Sequence, residues 1–253
     1  MKQGILNLYK RCGETPLECL NRFKAAHPSY EHVPMSYAGR LDPLAEGVLI
    51  VLAGEDRFKR DEFNALEKVY EFEVLWGFAS DTHDALGIVR FVSESSVIAS
   101  RLEAALQNFR GKIELAYPKF SSKTIDGVPL FRLARDGKLE NVKMPTKHVE
   151  ISYLGQLGTE MFCGTELLKL AEEKIASVKG DFRQEEARAS WKRAIEDRAE
   201  EFFPITGFRS KVSSGTYIRS LAEQLGRELE CGGLTWSIKR TAVGNFGIED
   251  SLP

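Results

Sequence analysis

The 253-residue chain has no apolar run near the ~20 residues that a membrane-spanning helix needs, which excludes a helical membrane protein. Residues Met1 to Lys10 lack the layout of a signal peptide, so an unprocessed cytoplasmic protein is expected. Cysteine is scarce. Cys12, Cys19, Cys163 and Cys231 form no C-x-x-C pair, and His27, His32, His83 and His148 have no ligand-like spacing. Neither a zinc site nor a disulfide framework is expected, and reduced thiols fit the pattern. Internal repeats, low-complexity tracts and nucleotide-binding motifs are also absent. So is a net charge of either sign: at −2, bulk basicity gives no argument for nucleic-acid binding.

What is present is the composition of an ordinary globular protein, 43% hydrophobic, with enough chain for a sizeable core. Residues 3–8 read as a strand. Thr15-Pro16-Leu17-Glu18 opens a helix through a capping box with proline at the first helical position. Gly47 to Gly54 is an apolar run suited to a strand buried on both faces. Asp56 to Leu66 reads as helical. Lys68 to Phe78 alternates, with Tyr70, Phe72, Val74 and Trp76 on one face. Ser96 to Arg110 is the clearest helix, stopped by Gly111. A short helix spans Pro129 to Gly137, and Lys147 to Leu157 alternates as a strand. From Thr165 to Phe203 the pattern is helical, broken once at Lys179-Gly180-Asp181. Trp191, Ile195, Arg198 and Phe202 follow one helical stripe there, as in an appended helical hairpin. Strands at Phe208 to Ser213 and Trp236 to Phe246 flank a helix from Thr216 to Leu229. Without a regular βαβ beat, the class is α+β.

The near-neutral charge is unevenly spread. Residues 118–147 carry seven Lys/Arg against three acids, residues 206–246 six against three, and residues 160–201 eight against eleven. Two basic stretches can form one phosphate-binding surface while an acidic helical segment hides them in the total, although solvated helix faces give the same counts.

The segment with most chemical content is Tyr37-Ala38-Gly39-Arg40-Leu41-Asp42-Pro43-Leu44-Ala45-Glu46-Gly47-Val48-Leu49. It sets Asp42 at the mouth of a buried strand, where a carboxylate serves as nucleophile or base. Taken alone, Asp42 fits a turn aspartate better than a catalytic group. Four further segments supply context: Lys68-Val69-Tyr70 with Gly77 and residues 80–87 (SDTHDALG); residues 118–135 (PKFSSKTIDGVPLFRLAR); residues 213–226 (SSGTYIRSLAEQLG); and Cys231-Gly232-Gly233 with Lys239-Arg240 and Val243-Gly244.

Together, in this order, the five segments resemble the TruB-type tRNA pseudouridine synthase family. The resemblance implies a mixed, mainly antiparallel sheet flanked by helices. It implies one catalytic domain over residues 1–253, with a helical hairpin inserted at about 160–203 and without the C-terminal PUA RNA-binding domain of many relatives. It also implies a cofactor-independent, metal-free isomerase acting on the T-loop uridine (position 55) of tRNA, with the T-arm as its partner and no membrane or obligate protein partner. Asp42 matches the catalytic aspartate and Arg219 the arginine that pairs with it. Tyr70 matches the tyrosine that stacks on the flipped base, and Tyr217 and Ile238 match positions lining the uracil pocket. Lys10 falls near the family's early Lys-Pro. Tyr37-Ala38-Gly39 replaces the usual His-Thr-Gly, so Tyr37 offers stacking where a histidine would hydrogen-bond. In the third segment Thr124 stands at the usual lysine position and Phe131 replaces a tyrosine. Three alternatives remain open: a catalytically silent RNA-binding or RNA-folding protein, a synthase acting on another RNA, and a hydrolase pairing Asp42 with Asp84.

Overall fold

The structure, a computed structural model, describes residues 3–94, 98–140 and 142–253. Strand β1 (Gly4–Lys10) leads into helix α1 (Pro16–Ala26), β2 (Met35–Ala38) and β3 (Ala45–Ala53). A 3₁₀ turn then enters α2 (Arg60–Ala65), followed by β4 (Lys68–Trp76), the short pair β5 (Phe78–Ser80) and β6 (Val89–Phe91), and α3 (Ile98–Asn108). Next come β7 (Gly111–Ala116), the small hairpin β8 (Thr124–Ile125) and β9 (Val128–Pro129), α4 (Leu130–Arg135) and β10 (Thr146–Cys163). The helical pair α5 (Gly164–Ser177) and α6 (Gln184–Ile195) precedes β11 (Phe202–Val212), α7 (Ile218–Glu228), β12 (Gly233–Val243) and β13 (Phe246–Gly247). Among the described residues, no helix is long and apolar enough to cross a membrane.

One sheet organises these elements, in the order β1-β3-β12-β4-β11-β10-β7, with β2 beside β3 and β13 beside β12. All its pairings are antiparallel except β12 with β3. That parallel contact is short, and it explains a glycine. Gly47 lies opposite Arg240 with φ +105°, and a Cβ there would sit 2.2 Å from the Arg240 carbonyl oxygen. Only a residue without a side chain lets the two strands meet.

The sheet is covered on both faces. Alternation along β4 sends Tyr70, Phe72, Val74 and Trp76 into a cluster with Leu102, Leu106, Leu221 and Leu225 of α3 and α7. Leu75 points the other way, into a cluster with Leu167, Ala171 and Ile175 of α5 and Ala187 and Trp191 of α6. The class is therefore α+β, as the mixed element pattern implies.

Some boundaries differ from the sequence expectation. Residues 96 and 97, at the expected start of α3, lie outside the described residues. The Asp56 to Leu66 segment is a 3₁₀ turn followed by only six α-helical residues. β10 continues to Cys163 instead of ending near Leu157. Residues 156–161 pair with β11 but are exposed on both faces, so they leave no buried alternation to read. Helix α6 ends at Ile195, so Arg198 and Phe202 do not extend its stripe. Residues 202–207 pair instead with 158–163, and Phe203, not Phe202, enters the core. Pro204 cannot continue a helix but is accepted in this strand opposite Met161.

Candidate functional site

Asp42 lies in the loop between β2 and β3; two buried cations fasten that loop through its backbone carbonyls, and a third holds the Asn64 segment that caps it. Lys10, at the end of β1, donates from Nζ to the carbonyls of Arg11 (3.0 Å), Pro43 (3.1 Å) and Ala45 (2.5 Å). Burial pushes its ammonium down to about 8. Arg240 donates to the carbonyls of Val48 (2.8 Å) and Gly39 (3.0 Å). Lys68 donates to those of Asn64 and Leu66, both at 2.6 Å, while the Asn64 side chain accepts the Gly39 N–H at 2.7 Å. Lys68 is also lowered to about 8, first by burial and then by the nearby Arg240 charge. Carbonyls satisfy these cations without adding a competing carboxylate beside Asp42.

Arg219 sits in the first turn of α7, whose apolar positions Ile218, Leu221, Ala222 and Leu225 face the core and so carry it inward. Its side chain is 4% exposed and its guanidinium grips Asp42 in a fork, Nε to Oδ2 at 2.7 Å and Nη2 to Oδ1 at 3.0 Å. The remaining donors reach the carbonyls of Thr82 (2.6 Å) and Phe120 (3.2 Å). The arginine is thus fixed by two backbone segments before it orients the carboxylate. Burial alone would lower its pKa, but the charges of Asp42 and Asp84 outweigh burial and raise it.

Asp84 is the second carboxylate here, with Oδ2 3.7 Å from Arg219 Nε. It accepts from the Thr82 hydroxyl (2.6 Å) and the Leu86 N–H (3.0 Å). Burial raises its pKa against the pull of Arg219. Its side chain is 12% exposed against 37% for Asp42. Asp42 therefore presents to solvent, while Asp84 backs the arginine from inside.

Asp42 and Arg219 open onto a cleft of about 960 Å³ whose walls include Tyr37 from β2, Tyr70 from β4, Tyr217 at the N-cap of α7 and Ile238 from β12. All six residues singled out from the sequence thus meet in one place. Tyr70 and Ile238 lie on neighbouring strands, and Tyr217 packs edge-on against Tyr117 at 5.5 Å. Burial, and then the Asp42 charge, raises the Tyr217 phenol pKa. A half-exposed, oriented carboxylate among flat apolar side chains suits a planar ring held beside a reacting centre.

Two features were not legible from the sequence. The loop joining α5 and α6 also lines the cleft, through Asp181, Phe182 and Arg183. No periodicity or motif marks it beyond the helix break. Second, the basic stretches are not equivalent. In residues 206–246, Arg219 and Arg240 are internal, and Lys211, Arg227 and Lys239 pair with Glu67, Glu223 and Glu46. In residues 118–147, Lys119, Lys123, Arg132 and Lys143 are exposed and have no carboxylate partner among the described residues.

A family model described as TruB family pseudouridylate synthase (N terminal domain) matches residues 30–163. The chain is similar to proteins named tRNA pseudouridine synthase B. It is 27% identical over 250 residues to that of Clostridium acetobutylicum, covering 99% of this chain and 70% of the relative. It is 29% identical over 252 residues to that of Thermotoga maritima, covering 100% and 66%. It is 32% identical over 216 residues to that of Brucella anthropi, covering 85% and 53%. The chain thus spans between 53% and 70% of these relatives' lengths. Among solved structures, a Cbf5-Nop10-Gar1 complex matches with a TM-score of 0.56 at 20% identity, over 96% of this chain and 50% of the matched chain. An H/ACA RNP bound to a substrate RNA containing 2'-deoxyuridine matches with a TM-score of 0.53 at 18% identity, over 96% and 48%. These two likenesses concern the fold.

Proposed function

Because the chain belongs to the TruB family of pseudouridylate synthases, we propose that it isomerises uridine to pseudouridine in tRNA, at the T-loop uridine (position 55), and that residues 1–253 act as one catalytic domain with the α5–α6 hairpin inserted. The observation that carries this reading is the forked Arg219–Asp42 pair opening onto a cleft walled by Tyr70, Tyr217 and Ile238. The target uridine leaves its stack and enters the cleft, with Tyr70 as the surface its ring lies against. Asp42, aimed by the Arg219 fork, acts at the sugar or the base while the N1–C1′ bond breaks. The uracil turns and rejoins C1′ through C5. N1, which loses its bond to C1′, gains a proton from solvent and C5 gives its own up to solvent, so atoms balance without a co-reactant. Tyr217 and Ile238 bound the space in which the ring turns, and Tyr37 supplies a further aromatic surface at the mouth. Asp84 supports Arg219 from behind.

Tritium release from tRNA transcript labelled at uracil C5 tests the reaction. Wild-type protein is expected to release tritium. Asp42→Asn is expected to bind the transcript but release it at least about 10²-fold more slowly. Binding by the wild type with no release would instead identify an RNA-binding protein without this activity. Release that persists after the T-loop uridine is changed to cytidine would point to another position or another RNA.

A further inference from the structure

We propose that Arg183, at the tip of the α5–α6 hairpin, is a positioning residue for the Arg219–Asp42 pair. The inference rests on reading the cleft as a pseudouridine synthase site. The hairpin lies on the far face of the sheet from α7, yet its tip reaches the cleft wall. There the Arg183 guanidinium donates to Asp81 Oδ2 at 2.7 Å and lies 4.2 Å over the Phe120 ring. One side chain thereby ties together two segments distant in sequence.

Those two segments supply the carbonyls that hold Arg219. Thr82, next to Asp81, accepts from Arg219 Nη1, and Phe120 accepts from Nη2. Asp81 also accepts the Ile88 N–H at 2.8 Å, which closes the 81–88 loop. Neither carbonyl belongs to α7, so the guanidinium plane depends on where both segments rest.

The tip is organised for this task. Gln184 receives the Phe182 N–H at 3.0 Å and donates to the carbonyls of Gly180 (2.7 Å) and Val178 (3.3 Å). Arg183 itself takes a left-handed conformation with φ +59°, unfavourable for a residue with a Cβ and maintained where surrounding contacts over-determine it. Arg135 on α4 meets Asp181 and joins the tip to the same arm of chain as Phe120. Because Arg183 is already engaged by Asp81 and Phe120, it acts through Arg219 and not as a free phosphate ligand.

The test uses the full chain with Arg183→Ala and Arg183→Lys. The alanine variant is expected to keep KM for tRNA within about twofold, while kcat falls about ten- to a hundredfold. The lysine variant keeps a cation opposite Asp81 and should recover part of kcat. A second readout needs no RNA: hydrogen exchange at the Arg219 Nε–H, followed by ¹⁵N NMR, should quicken about tenfold or more in Arg183→Ala. Unchanged exchange, or a rise in KM at constant kcat, would overturn the proposal. If wild-type protein forms no pseudouridine, the functional reading fails and the exchange measurement alone decides whether Arg183 positions Arg219.

Discussion

At the scale of single residues, the two carboxylates beside Arg219 show how burial divides labour. Asp84 is enclosed and tied to Thr82 and Leu86, while Asp42 is fixed from one side and open on the other. The lysine behind Asp42 gives a testable consequence. Lys10 has a folded pKa of about 8 against an ordinary 10.5. Below pH 8 both folded and unfolded chains hold its proton, and the full cost of burying the cation is present. Above pH 8 the folded state sheds the proton first, so the unfolded chain binds more protons and the Lys10 contribution to stability rises with pH. Lys10→Met lacks this contribution. The urea midpoint of wild type relative to Lys10→Met should therefore rise between pH 7.5 and 9. Taking the difference removes the titration of the buried Cys19 and Cys231 thiols, which acts oppositely near the top of that range. A flat difference would contradict the buried-cation account.

At the scale of elements, the α5–α6 hairpin is more than a cover for the sheet. Trp191 is wholly buried, packs tilted against Phe78 and edge-on against Trp236, and donates its indole N–H to the Ala85 carbonyl at 2.9 Å. The preceding Ser190 accepts the Val89 N–H at 2.9 Å. Helix α6 thus grips the 81–89 segment, which carries Asp84 and the Thr82 carbonyl. Trp191→Ala should cost about 3–5 kcal/mol of stability, seen as a lower urea midpoint. Near-wild-type stability would mean that the hairpin packs only loosely. The helical stripe through Trp191 and Ile195 was legible in the sequence, but its end was not. Sheet pairing to β10 captured Phe202 and Phe203 against the local helical pattern, because a buried Phe203 and a continued ladder outweigh one more helical turn.

At the scale of the molecule, the even charge balance conceals a polarity that linear counting places only in part. Carboxylates or internal burial occupy most bases of residues 206–246, whereas the arm from 118 to 147 leaves Lys119, Lys123, Arg132 and Lys143 open. tRNA affinity should therefore fall with salt, chiefly through this arm. Lys123→Ala should reduce the slope of log K against log salt by about one. Lys239→Gln, which removes a cation paired with Glu46 at 3.2 Å, should leave the slope near wild type. Fluorescence anisotropy across a KCl series distinguishes the two, and equal slope changes would refute this division.

Sequence alone settled the class, the order of the principal elements and six of the residues that gather in the cleft. Capping residues, period-2 and period-3.6 patterns and the five ordered segments are all local signals. Tertiary structure decided what depends on distant approach: the half-exposed Asp42 set against the enclosed Asp84, the buried lysines behind the Asp42 loop, and the tip of the hairpin beside Phe120. It also decided which cations remain free. A charge in a sequence has no depth or partner until the chain packs, and desolvation and pairing, which set its effect, are properties of that packing.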